Sequence, residues 1–233
     1  MKISVIVPAY NEEKNIKQCL ESLVNQDFDK KEYEIILVNN NSTDKTKEIA
    51  LGFKQIKIID EPKQGYGHAL IRGCKEAQGK IFVFTDGDTI VPKNWLENYW
   101  QAYQNEKVVG VGGPGKFRPT IWQTTLLVEP FLYLAGLTTG LVCGFNFSIR
   151  KKTYFAFGGF DQNINLNVDS YLQIKAKELG KTVFLKDNFV ITSSRRFSNL
   201  ASISYILKGL INNLCLILFK KVLFYEFDNI REK

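Results

Sequence analysis

The sequence predicts an α/β fold in which a mostly parallel sheet is flanked by helices. Three observations carry this. Residues 3–7, 35–38, 56–59 and 81–84 are short runs of β-favouring apolar residues with little polar alternation, the pattern of strands covered on both faces. The stretches between them place apolar residues at helical spacing. Polar turns follow the runs, and right-handed strand–helix–strand units gather such turns at one edge of the sheet.

Each element has its own signal. The first run closes at Pro8, and Asn11 is placed to cap a helix that opens on Glu12 and Glu13 and buries Ile16, Cys19, Leu20 and Leu23. The second run ends in the polar turn 39–44 before another short helix. After the third, Gly65-Tyr66-Gly67 opens a helix through about Ala77, with backbone N–H groups that suit an anion; alone, a G-x-G is a weak signal. Pro92 starts an amphipathic helix that brings Trp95, Leu96, Tyr99 and Trp100 together, and residues 108–111 form a strand that ends a first half, 1–112.

Gly112-Gly113-Pro114-Gly115 reads as a flexible join to a smaller second half, 113–200. Between Arg118 and Arg150 the one carboxylate or basic residue is Glu129. Pro130, Gly136, Gly140 and Gly144 interrupt this stretch and Glu129 is costly in lipid, so buried helices lining a pocket fit it better than a membrane span. Residues 157–161 make a tight turn, a helix runs from about Asp169 to Leu179 with Gly180 as its cap, and 183–185 and 189–191 are short strands. The tail, 201–233, is apolar from 203 to 227 but broken by Lys208, Asn212, Asn213, Lys220 and Lys221. It lacks a transmembrane span. Lying amphipathically on a membrane surface, packing on the domain and pairing in a homodimer all stay open.

With 233 residues, 45% hydrophobic and 24% charged, the chain can bury a full core. Its net charge of +7 suits an anionic partner, yet the basic residues are scattered and no nucleic-acid-binding motif appears, which argues against nucleic acid. Cys19, Cys74, Cys143 and Cys215 lie far apart without a CxxC pair, so free thiols in a reducing compartment are expected rather than zinc. Met1-Lys2 leads directly into the first strand. A cytoplasmic protein is expected, with peripheral attachment to the inner membrane face as an option for the tail.

The chemistry concentrates after the fourth run, at Thr85-Asp86-Gly87-Asp88. Two carboxylates separated by one glycine offer hard oxygen donors to one point, which suits Mg²⁺ or Mn²⁺. Alone, the pair reads more simply as a turn. The rest of the chain changes that reading. VIVPAYNEE at 5–13, VNNNSTD at 38–44, TDGD at 85–88, GGFD at 158–161 and Asp169 with Leu172, Lys175 and Gly180 resemble family 2 glycosyltransferases of the GT-A fold, in order, over about residues 3–185. The resemblance implies inverting transfer of a sugar from a nucleotide-diphosphate donor, a UDP-sugar first among them, to a glycan or lipid-linked acceptor with Mn²⁺ or Mg²⁺. Residues 1–112 would then hold the donor and 113–200 the acceptor. It puts Pro8 and Ala9 at the wall of the base pocket, Glu12 and Asn39 at base or ribose, and Asp86 near the ribose. Asp88 becomes the direct metal ligand, and Asp169 the base that takes the acceptor's proton. Arg195-Arg196 suits a donor diphosphate or a lipid-linked acceptor phosphate, or equally a solvated pair.

Departures from the family's pattern qualify the expected roles. Asn39 stands where the family usually has an acid, and Val168 replaces the acid that commonly precedes the base, so Asp169 is expected to lack a like-charged neighbour that would raise its pKa. Arg72-Gly73 only loosely echoes the family's arginine-asparagine pair, and His68 reads as a helix-surface residue. Two other readings stay open. A binding module that has lost catalysis accords with Asn39 and Val168. A nucleotidyltransferase would want a glycine-rich, lysine-bearing loop where this chain has Pro-Ala-Tyr-Asn-Glu-Glu.

Overall fold

The computed structural model describes residues 1–140, 142–164, 166–197 and 201–224. Strands β1 (Ile3–Ala9), β2 (Tyr33–Asn39), β3 (Ile56–Asp60), β4 (Ile81–Phe84) and β5 (Val108–Gly112) are followed by β6 (Gly115–Arg118), β7 (Phe147–Arg150), β8 (Lys181–Phe184) and β9 (Val190–Ser193). Seven of them form one sheet in the order β3-β2-β1-β4-β7-β5-β8, in which β7 runs antiparallel to both neighbours and every other pairing is parallel. A separate ribbon pairs β6 with β9.

The chain steps outward from β1 to β2 and β3, then returns past β1 to β4. That reversal opens a crevice at the carboxyl ends of β1 and β4, where open α/β sheets bind ligands. Alternation along β4 shows why its sequence is apolar throughout: Ile81 and Val83 enter one core layer, Phe82 and Phe84 the other. The first layer packs α1 (Ile16–Val24) and α4 (Trp95–Ala102) on the sheet; α2 (Thr46–Leu51) lies beside α1. The second layer holds α3 (Tyr66–Glu76), α6 (Lys151–Ala156) and α7 (Val168–Lys177). A π-helical turn at Thr124–Val128 leads into α5 (Glu129–Thr139), and α8 (Ala201–Phe219) closes the described chain.

Several local expectations change. Asn11 does not cap α1, which begins at Ile16; it sits in the left-handed region (φ 53°), where its Oδ1 accepts the Thr43 N–H at 2.8 Å and its own N–H donates to Ser42 Oγ at 3.1 Å. The loop after β1 is thereby tied to the loop after β2. The 112–115 join is not a hinge: Gly112, Gly113 and Pro114 are buried, and a Cβ on Gly113 would come within 2.7 Å of Asn146 Nδ2. Asn146 fixes this crossing, donating to the carbonyls of Pro114 and Asn188 at 2.8 Å each while accepting from Trp95 Nε1 and Tyr99 Oη. Helix α7 is capped at Glu178, not Gly180, which instead lets the chain pass Lys107 closely. Strands β6 and β7 and helix α6 were hidden in or beside a stretch whose apolar density masks short elements.

The four cysteines are free thiols, and Cys19, Cys74 and Cys143 are buried. No helix among the described residues is long and apolar enough to cross a membrane. The tail packs on the domain through one face of α8. Asn213 and Leu216 are buried, and Asn212 Oδ1 accepts the N–H groups of Leu223 and Phe224 as the chain turns back. Its asparagines therefore serve tertiary hydrogen bonds. Residues 225–227 of the expected apolar run lie outside the described residues.

Candidate active site

Strand β4 delivers Asp86 and Asp88 to the crevice, and α7 brings Asp169 to it from the opposite layer. All three carboxylates line one cavity of about 560 Å³, with Tyr66 from the start of α3 and Arg196 from a 3₁₀ turn, Arg195–Phe197, after β9. Gly87 permits the tight path between the two aspartates, since a Cβ there would crowd Glu12 Cγ at 3.2 Å.

Hydrogen bonds and ion pairs organise the electrostatics of the cluster. Tyr66 Oη donates to Asp86 Oδ1 at 3.0 Å. Burial first, then the charges of Asp86 and Asp169, push the Tyr66 phenol well above its ordinary range, so it remains a donor. Arg195 Nη2 lies 3.0 Å from Asp88 Oδ2 and also pairs with Glu12 Oε1, joining the loops after β1, β4 and β9. Thr192 Oγ1 donates to Asp88 Oδ1 at 3.2 Å.

Asp169 is half-buried at the head of α7. Burial pushes its carboxyl up to about 7; the N–H groups of Ser170 and Gly144 act in the opposite direction, and the charge of Asp86 adds to the rise. The expectation that Val168 leaves it without a like-charged neighbour is therefore corrected. The neighbour is Asp86, across the cavity rather than along the chain. Gly144 matters to this arrangement, because a Cβ there would sit 3.2 Å from Tyr66 Oη.

Other sequence-predicted residues lie close by but do not line this cavity. Pro8 and Ala9 end β1, buried beside Asn39 and Asn40. Glu12 is 3% exposed and faces Arg195, while its N–H donates to Thr46 Oγ1 at 2.7 Å. Asn39 Nδ2 donates to Asp60 Oδ1 at 2.9 Å, and its Oδ1 accepts the Ser42 N–H at 3.3 Å. A carboxylate therefore stands beside Asn39: Asp60 is exposed, and hydrogen bonds from Lys47 and then Asn39 hold it below its usual range. Register on the sheet could have signalled it, because Asn39 and Asp60 are paired residues of β2 and β3. Arg195 pairs with Glu12 and Asp88, and Arg196 lines the cavity. His68 is half-buried on α3 and outside the cavity lining.

The GGFD turn has a structural role. Gly158 and Gly159 take φ of 89° and 79°, closed to other residues without strain, and so insert Phe160 against Phe84 at 5.3 Å between ring centroids. Phe84 immediately precedes the Thr85-Asp86 turn, so the insertion supports the strand end that carries the acids.

Asp86 and Asp88 fit a divalent cation as two hard oxygen donors; among the described residues no cluster of three or more His, Cys, Asp or Glu could hold a metal. Such a pair suits an ion that takes its remaining ligands from a bound phosphate and water.

Comparison with known proteins agrees with this construction. The model of the family described as Glycosyl transferase family 2 matches residues 4–156. Glycosyltransferase AglE of Haloferax volcanii is 37% identical over 120 residues, covering 49% of this chain and 40% of AglE. The mannosyltransferase PcManGT of Pyrobaculum calidifontis, solved with GDP-Man and Mn²⁺, superposes with a TM-score of 0.77 at 21% identity, over 93% of this chain and 64% of that one. S. aureus TarS 1-349 with UDP-GlcNAc gives 0.69 at 23%, over 93% and 67%. The matched segments span less than half the length of the curated relatives. Sheet order, the acidic turn after β4 and the match over most of the first 156 residues lead to one assignment: the chain belongs to glycosyl transferase family 2.

Proposed function

We propose that this chain transfers a sugar, with inversion, from a nucleoside-diphosphate donor to a hydroxyl-bearing acceptor that is a glycan or is lipid-linked. The observation that carries the reading is the convergence of Asp86, Asp88 and Asp169 on one cavity at the carboxyl edge of the sheet. Residues 1–112 hold the donor and 113–200 the acceptor, and α8 packs alongside. Asp88 and Asp86 hold a Mn²⁺ or Mg²⁺ ion, which when bound stabilises charge on the leaving diphosphate. PcManGT and TarS, solved with GDP-Man and UDP-GlcNAc, support a nucleotide-sugar donor.

The residues divide the work by position. Pro8 and Ala9 wall the base, with Glu12 toward base or ribose. The paired Asn39 and Asp60 offer an amide and a carboxylate that can accept an imide N–H, which favours uridine. Asp169 takes the proton from the acceptor hydroxyl as its oxygen attacks the anomeric carbon, from the side opposite the leaving group. A carboxylate whose pKa is near 7 is a better base at neutral pH than an ordinary aspartate. Tyr66 positions Asp86. Arg196, and Arg195 once released from Asp88, supply cationic partners for phosphate.

A thermal-shift panel of nucleoside diphosphates with Mn²⁺ tests donor recognition, because a ligand that binds the native state raises the melting temperature. UDP is expected to give the largest rise; no rise with any nucleoside diphosphate would contradict the reading.

A further inference from the structure

The cavity that contains the three carboxylates has two unlike ends. Its inner part carries the half-buried Asp86, Asp88, Asp169 and Arg196. Its exposed part is apolar: Trp122 is 63% exposed, Leu126 68% and Leu127 52%, and Leu207 of α8 faces them at 53%. The π-helical turn at Thr124–Val128 presents Leu126 and Leu127 together at this rim, and such turns recur at functional sites. On α8, Leu207, Ile211, Leu214 and Leu218 continue the apolar surface along one helical stripe. An exposed apolar surface of this kind marks an interaction site.

We infer that the acceptor is a lipid-linked anionic amphiphile whose hydrocarbon chain runs out of the cavity between the π-helical turn and α8. This rests on the glycosyltransferase reading for the reacting end. A free glycan presents hydroxyls around its whole surface, and at this rim Leu126, Leu127, Phe131 and Leu207 carry no polar side-chain atom, leaving the Trp122 indole N–H as the one donor among these five residues. A hydrocarbon chain has the complementary demand. Arg196 in the inner lining complements a phosphate that joins chain to head group. A second copy of the protein on this face would stop the mouth of its own active site. In the reaction the head-group hydroxyl oxygen forms the new bond to the anomeric carbon and gives its proton to Asp169. The bond from that carbon to the donor diphosphate breaks, and the diphosphate leaves with the electron pair.

Trp122 supplies the readout, because Trp95 is fully buried and Trp100 packs beside Phe28, away from the cavity. The protein is titrated with phosphatidylcholine vesicles carrying a long-chain polyprenyl phosphate, with vesicles of equal charge made with phosphatidylglycerol, and with water-soluble dimethylallyl phosphate. Only the first is expected to shift Trp122 emission to shorter wavelength, and Trp122→Phe removes the shift. Leu126→Glu with Leu127→Glu weakens the response at least tenfold, as does Arg196→Gln, while Leu51→Glu on α2 has no effect. Equal responses to both vesicle types, or to the short phosphate, would overturn the inference. So would a dimer in sedimentation that Leu126→Glu dissociates, with no lipid response. Nucleoside-diphosphate binding with Mn²⁺ is measured on the same wild-type sample. A nucleotide response without the lipid response removes the lipid acceptor alone, and absence of both removes the enzyme reading as well.

Discussion

Arg195 Nη2 sits 3.0 Å from Asp88 Oδ2, so the second aspartate of the acidic turn has a guanidinium as its counter-ion. The same nitrogen pairs with Glu12. Both carboxylates are nearly buried, with side chains 8% and 4% exposed, and Arg195 pairs with both, from loops far apart in sequence. Removing it leaves them facing each other. Arg195→Gln is expected to cost about 1–3 kcal/mol, reduced from the fully buried case because the arginine is about one-third exposed. Urea unfolding checks this through a lower midpoint at unchanged slope. An unchanged midpoint would mean the pairs contribute nothing to the fold.

Asp169 must be ionised to accept a proton. With its carboxyl near 7, kcat/KM is expected to rise with pH through about 7 and level off above it. Asp169→Asn should lower kcat by about 10²–10⁴ and abolish that rising limb. A pH–rate profile of wild type and variant measures both.

The same shift has a stability consequence of opposite sign. Its folded pKa is raised above the ordinary 3.8. Between about pH 4 and 7 the native state therefore keeps a proton that the unfolded chain has released, and stability falls as pH rises through that window. At pH 8 Asp169→Asn should melt above wild type, by about 1–2 kcal/mol after discounting for its partial exposure. Melting both proteins at pH 5 and pH 8 tests the sign: the gap should narrow at the lower pH.

Tyr66→Phe removes the hydroxyl that donates to Asp86 and leaves the ring in place. A kcat loss of roughly tenfold, with the melting temperature nearly unchanged, is expected from one hydrogen bond of about 1–1.5 kcal/mol. Steady-state kinetics beside a thermal melt separates this from a folding defect.

At the base pocket, Asp60→Asn should weaken UDP binding by about tenfold and narrow its preference over GDP, since the carboxylate next to Asn39 is lost. Asn39→Asp in that background should recover part of the preference. Calorimetric titration with the two nucleotides reads the ratio.

The architecture was legible wherever one strand carried its own signal. Ile81–Phe84 is apolar on both faces because two core layers meet on it, and its acidic turn stands where parallel strands end. Strand β7 was not legible, since Phe147–Arg150 lies in a stretch already apolar for another reason, the wall of the cavity. Site residues far apart in sequence were hardest. Asp60 carries meaning only once β2 and β3 are paired in register, and the raised pKa of Asp169 comes from burial and from Asp86, neither visible at Val168. Tyr66 was read for the backbone of its glycine turn, and its hydroxyl proved to be the link to Asp86. Asn11 misled because its side chain serves another loop instead of the helix that follows.

The most direct test of the central claim is turnover of a nucleotide-sugar panel by the purified chain with Mn²⁺, beside Asp88→Ala. The account predicts release of nucleoside diphosphate from at least one donor by wild type and its loss, by 10²-fold or more, in the variant. Equal turnover by both proteins would contradict it.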